Sequence, residues 1–300
     1  MKNLSNLAKQ PLIGPIVQKA MSTLASHKAK QITEHFSVYL RPTVANSPEL
    51  RTAVYRLRHS VYCEELRFEE EKPDAIERDE FDARSIHCFV RHLASQALAG
   101  TVRLITSPDR QSPLPIEQFC RSAISDPVLN PWSFPPELVC EISRLAVPAN
   151  FRKRQIDKYE GSASGVINEA TFSFDELRCF PYIAISLYLS AAVMSLKTGR
   201  VHGFVMMEPR LARSLTLVGI HFKPIGQTID YHGLRAPYYI DARQIRPQLS
   251  SGFQGLMDSI EYELLKDINL SGNFEQQFFQ QCGSDEATAF TATLSTTGEN

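Results

Sequence analysis

Long hydrophobic runs are missing from this 300-residue chain. The most apolar stretch, Tyr182 to Leu196, falls short of the roughly 20 residues that cross a bilayer and is broken by Ser186, Ser190 and Ser195. The N-terminal segment carries Lys2, Lys9, Lys19, Lys28 and Lys30 around Pro11 and Pro15, without the continuous apolar core of a secretory signal. Paired cysteines are missing too. Cys63, Cys88, Cys120, Cys140, Cys179 and Cys282 form no C-x-x-C pair and no Cys/His cluster at zinc spacing, so reduced thiols and no metal centre are expected. His87, His202, His221 and His232 also lack ligand spacing and read as structural. Nor does one charge dominate: 32 basic residues face 33 acidic ones, for a net charge of -1, and nothing global points to nucleic acid or an anionic membrane. A soluble cytoplasmic protein without a transmembrane segment is expected.

What is present is apolar material, 43% of the chain, enough for a sizeable core. Residues 1–35 read as a weakly amphipathic lead-in, and Phe36 to Pro42 alternates like a short strand. From Glu49 to Phe68, Leu50, Val54, Leu57, Val61 and Leu66 recur near helical spacing, with Asn46 or Ser47 as N-cap and Pro48 in the first turn. Glu69 to Arg84 is a charged loop. Ile86–Leu93 and Leu98–Thr106 read as a hairpin, and residues 107–136, with seven prolines, as an irregular covering loop with at most one short helix near Ile116 to Ser122. A strand (Leu138–Val147), a buried helix (Phe180–Leu196), a buried strand (Val201–Met207), a helix (Pro209–Val218) and a last strand at Tyr238 to Asp241 complete the series. Hairpins early and βαβ units late mean an α+β (mixed α/β) fold, a central mixed β-sheet flanked by helices. Residues 248–282 read as a helical extension and 283–300 as a disordered tail.

Three features carry chemistry. Arg58, Tyr62 and Phe68 lie along the first helix; Asp79-Glu80-Phe81-Asp82 sits in the charged loop; Arg103 and Glu141-Ile142-Ser143-Arg144 lie on two strands. In this order and at these separations they resemble the acyl-homoserine lactone synthases and N-acyl amino acid synthases, particularly the acyltransferases associated with the exosortase/PEP-CTERM system, over roughly residues 50 to 150. The resemblance implies a GNAT-like acyltransferase domain over residues 36–247. It implies transfer of a fatty acyl group from acyl carrier protein to the amine of an amino acid or related small acceptor. No cofactor is permanently held; the acyl-phosphopantetheine of the carrier protein, or acyl-CoA, is the donor. The functional positions it implies are Arg58, Asp79, Asp82, Arg103, Glu141 and Arg144, with Tyr62, Phe68 and Ser143 lining the substrate side. Tyr62 replaces the family's usual Phe and Phe68 its usual Trp, which opens the acceptor beyond S-adenosylmethionine.

The residues support that chemistry independently. Attack by an amine needs a proton acceptor, and Glu141 is the candidate. A thioester donor is already activated, so donors for the developing oxyanion suffice, for example backbone amides near Leu145 to Val147. In a regular strand Glu141 and Ser143 share a face and Arg144 points away, so a bulge or splay is predicted near residues 143–147. Cys140 falls on the opposite face and reads as packing. After this strand, Pro148 to Glu160 contains no glycine, unlike the pyrophosphate loops of coenzyme A enzymes. Arg152, Lys153 and Arg154 stand there instead as candidates for receiving an acidic carrier protein. Phe204 and Met206 are core or acyl-tunnel wall. The plainer reading of the Asp, Glu and Arg cluster is an ion-pair network tying loop to sheet, and such a network can also shape a pocket. A coenzyme A-dependent acetyltransferase and a catalytically silent acyl-ligand binding module are the competing functions.

Overall fold

The computed structural model describes residues 33–152 and 182–266. Its first element corrects the expected strand at Phe36 to Pro42: residues 33–39 are helical, and β1 begins only at Leu40 and ends at Val44. Phe36 and Leu40 are both buried. Their spacing of four is also one turn of helix, so the apolar pattern was compatible with either period.

Helix α1 (Pro48–His59) starts as its sequence requires, with Ser47 accepting from the Leu50 amide at 3.3 Å and Pro48 in the first turn. It does not run on to Phe68. Ser60–Glu65 instead winds as one wide π-turn, a deviation frequent at functional sites. The Phe68 amide then bonds back to the Tyr62 carbonyl at 2.8 Å, leaving the two rings 6.5 Å apart.

The sheet has eight strands among the described residues: β1, β2 (Ser85–His92), β3 (Leu98–Thr106), β4 (Val139–Ala146), β5 (His202–Met207), β6 (Lys223–Pro224), β7 (Ile229–Asp230) and β8 (Leu234–Asp241). Their spatial order is β1-β2-β3-β4-β5-β8-β6, with β7 pairing on β8. β2 and β3 form the expected hairpin. Among the described residues only β4 and β5 pair in parallel, which gives a single crossover there rather than the expected repeated βαβ units. β6 and β7, two residues each, were too short to show periodicity.

Alternation divides the sheet cleanly. Cys88, Val102, Leu104, Ile142 and Val205 face a core shared with α3 (Ile183–Lys197), which is apolar all round, and α5 (Ser251–Leu265). Leu256, Met257, Ile260 and Leu264 of α5 are buried in that same core, which makes α5 an integral layer. The opposite face carries Phe89 beneath α1, then the polar residues His87, Arg103 and Glu141, then Ile105, Phe204 and Tyr239. Cys140 is buried on the α3 side, as alternation required.

Residues 107–136 cover the second face, but with more helical structure than expected: α2 (Pro115–Phe119) and 3-10 turns at Arg121–Ala123 and Pro131–Ser133. A bridge between Ile124 and Gly226 pins this cover to the sheet edge, and a Cβ at Gly226 would overlap the Ala123 carbonyl. Between β5 and β8 lies α4 (Pro209–Thr216). No helix among the described residues is long and apolar enough to cross a membrane.

Candidate active site

The bulge expected on β4 is present. Arg103 pairs with Ser143 and Thr101 with Ala146, so three steps on β4 oppose two on β3. Arg144 is the extra residue, at φ 49°. Side-chain parity shifts there, and Ala146 lands on the face of Glu141 and Ser143, packed against Tyr62. β4 and β5 pair only from Val139 opposite His202 to Glu141 opposite Phe204, beyond which no ladder joins them.

A cavity of about 730 Å³ occupies this divergence, lined by Glu141, Ser143, Arg144 and Leu145 of β4 and by Val205, Met206 and Met207 of β5. Tyr62, Phe68, Phe81, Asp79 and Arg103 complete one side, and Tyr188 of α3 and Leu211 of α4 the other. Met206 is thus cavity wall. Phe204 is core, packed between Phe134 and Tyr239, and does not line the cavity.

The charged residues form one network. Arg58, fully buried, holds Asp82 through two bonds, 2.6 Å to Oδ1 and 3.1 Å to Oδ2, and its Nε pairs with Glu77. Arg103 Nη1 reaches Asp79 at 2.5 Å and Asp82 at 2.8 Å, while its Nε donates to Ser143 Oγ at 3.0 Å. Arg144 meets Glu77 at 3.2 Å, Glu69 at 3.1 Å and Asp79 at 3.4 Å. The loop presents its acids in this order because Asp79 caps the turn Glu80–Arg84: Asp79 accepts from the Phe81 amide, and Asp82 accepts from the Asp79 amide at 2.8 Å.

Burial alone would raise the Asp82 and Glu77 carboxyls, but Arg58, with Arg103 for Asp82 and Arg144 for Glu77, holds both below the ordinary range. Burial acts against the Arg58 charge too, and Asp82 and Glu77 more than offset it. His87 sits across the ladder from Arg103; burial pushes it down to about 3 despite Asp82 at 3.5 Å, so it is neutral.

Glu141 stands apart from this network, which corrects the expectation of a single cluster. It forms no ion pair with a described residue, and its Oε2 accepts from the Ile116 amide at 2.8 Å. Burial pushes its carboxyl up to about 8, against the lowering effects of that amide and of Arg103. It is therefore mostly protonated at neutral pH. Tyr62 donates its hydroxyl to the Leu145 carbonyl at 2.8 Å, and Arg144 lies over its ring at 5.6 Å.

Arg152 pairs with Glu65, and Lys153 and Arg154 lie outside the described residues. Glu77 and Glu69 were missed because the loop contains eight acids and nothing in the order of charges singles these two out. Tyr231, His232 and Arg235, also cavity residues, come from a segment without a motif.

In sequence, residues 57–160 match the acetyltransferase (GNAT) domain family. TofI, in a ternary complex with an inhibitor and MTA, has a similar structure: TM-score 0.50 and 16% identity over 69% of this chain and 95% of TofI. The chain has a GNAT fold. Lower on the same scale are BjaI, a CoA-dependent acyl-homoserine lactone synthase with SAM and isopentyl-CoA (TM-score 0.45, 18% identity, 75% of this chain, 89% of BjaI), and FeeM, an N-acyl amino acid synthase from uncultured soil microbes (TM-score 0.42, 14% identity, 70% of this chain, 96% of FeeM). No curated protein matches the chain in sequence. Within the GNAT fold, the bulge at Arg144 and the divergence of β4 from β5 open the cavity beside Glu141.

Proposed function

We propose that the protein is an N-acyltransferase that moves a fatty acyl group from acyl carrier protein to the amine of an amino acid or similar small acceptor, with Glu141 as the proton acceptor. The observation that carries this reading is the Glu141 carboxyl, raised to about 8 in the wall of a cavity between two diverging strands. A base tuned close to the working pH both exists in its charged form and binds a proton strongly. The amine nitrogen attacks the thioester carbonyl carbon, the C–S bond breaks as the C–N bond forms, and the amine proton passes to the Glu141 carboxylate and on to the departing thiolate.

In this reading Arg103 and Arg144 fix the polar wall. Their partners Asp79, Asp82 and Glu77 hold both guanidinium groups rigid, and Ser143, bonded to Arg103, faces the cavity with Glu141. Arg58, buried behind them, positions the acids. Tyr62 and Phe68 supply the aromatic side of the acceptor pocket. The glycine-free stretch Pro148 to Glu160 favours a carrier protein over free coenzyme A as donor, with Lys153 and Arg154 as docking candidates beside Arg152.

The test is to incubate the pure protein with a long-chain acyl carrier protein or the matching acyl-CoA, plus pooled amino acids, and to detect N-acyl products by mass spectrometry. Product with the carrier protein at higher kcat/KM is expected. Product only with acyl-CoA overturns the donor assignment, and no product with either overturns the function.

A further inference from the structure

Three of the arginines lining the cavity have carboxylate partners: Arg103 with Asp79 and Asp82, Arg144 with three acids, and Arg152 with Glu65. Arg235 differs. It is the second residue of β8, pairs with Ile229 of β7, and has no carboxylate within ion-pair distance among the described residues. Its Nε is buried without a hydrogen-bond partner. The guanidinium lies over the Phe68 ring at 5.8 Å, and Phe68 in turn lies tilted beside Tyr62 and His232. Glu208, the residue after β5, also lines the cavity but forms no ion pair with it.

A half-buried guanidinium that lines a cavity without a carboxylate partner is favourably completed by an anion entering that cavity. Alternation places Arg235 on the sheet face opposite the α3-side residues Ala236 and Tyr238, which is the face that carries Glu141 and Met206. The proton acceptor and the unpaired cation therefore open onto one cavity from one side of the sheet, separated by the splay between β4 and β5. That pair of features matches a small molecule with an amine at one end and an anion at the other.

We infer that Arg235 binds the carboxylate of the acceptor, which makes the acceptor a free amino acid or another amine bearing a carboxylate, and excludes polyamines and neutral amines. This rests on the N-acyltransferase reading of the cavity. The same guanidinium chemistry would also suit the phosphate of a phosphopantetheine arm, and the experiment separates the two sources. A planar guanidinium can bind either anion through paired N–H donors, and Phe68 lies against this one.

Ligand-observed NMR measures binding without requiring turnover. The twenty amino acids and their C-terminal amides are offered as separate pools to the wild type, Arg235→Gln and Arg235→Lys; a third sample receives phosphopantetheine. The wild type is expected to bind members of the acid pool and to lose about 10- to 100-fold in affinity for their amides and on Arg235→Gln, with partial recovery in Arg235→Lys. Phosphopantetheine binding should be the same in all three proteins. Loss of phosphopantetheine binding alone in Arg235→Gln reassigns the residue to the donor and overturns the inference. So does equal binding of acids and amides, or absence of acid binding by the wild type. Thermal unfolding of Arg235→Gln guards against a structural explanation: a Tm within about 2 °C of wild type is expected of an unpaired residue, and a larger fall overturns the inference. If acids bind as expected but no N-acyl product forms, the carboxylate site stands and the proposed reaction fails.

Discussion

Replacing Glu141 by Gln should make the protein more stable and less active, with a stability gain that grows with pH. Glu141 ordinarily would release its proton near pH 4.5, and burial moves that step up to about 8. Between these values the unfolded chain has lost the proton and the folded protein keeps it. The unfolded state therefore binds fewer protons, and stability falls by about 1.4 kcal/mol per pH unit across that window. By pH 7 the loss reaches about 3 kcal/mol; at pH 5 it is under 1 kcal/mol. Glutamine has no ionised form, yet its side-chain oxygen can still accept from the Ile116 amide. In thermal unfolding, Glu141→Gln should exceed wild type by several degrees at pH 7, at about 2–4 °C per kcal/mol, and by only about 2–3 °C at pH 5. A gap independent of pH, or a variant less stable than wild type at pH 7, would refute the protonated, desolvated carboxyl.

The arginine network should behave in the opposite sense. Asp82→Asn leaves Arg58 buried with half its charge partners removed and should cost about 3–5 kcal/mol, read as a lower denaturation midpoint with an unchanged m-value. Because Asp82 and Glu77 are held below the ordinary carboxyl range, their contribution is present above pH 4 or so and is lost as pH falls through their folded values, which an acid titration of circular dichroism will follow. Tyr62→Phe removes one bond to the Leu145 carbonyl and should cost only about 1 kcal/mol, seen in urea unfolding. Gly226→Ala forces the 107–136 cover away from the sheet edge and with it the Ile116 amide that holds Glu141; kcat should fall while the far-ultraviolet spectrum stays native.

The elements with clean periodicity or caps were legible in sequence: Ser47 and Pro48 opening α1, the β2–β3 hairpin, and the buried α3. The bulge was legible because Glu141, Ser143 and Arg144 could share a cavity only if strand parity broke, and the break falls on Arg144 itself. Phe36 misled because Phe36 and Leu40 satisfy a helical and a strand reading alike. The separation of Glu141 from the charged network was hidden for a different reason. Residue types announce which groups can pair, but whether a carboxylate finds an arginine or an amide depends on the cover folded over it, and residues 107–136 carry no periodic pattern. Arg235 was invisible because an unpaired cation is defined by what the fold leaves away from it.

The most direct test of Glu141 as the proton acceptor is a single-turnover measurement of acyl transfer from long-chain acyl carrier protein to an accepted amino acid. Wild type and Glu141→Gln are compared at several pH values, with folding of both verified. The wild-type rate should rise with pH and level off above about 8, while Glu141→Gln should be slower by about 100-fold or more without that rise. Equal rates in the two proteins, or the same pH dependence in both, would contradict it.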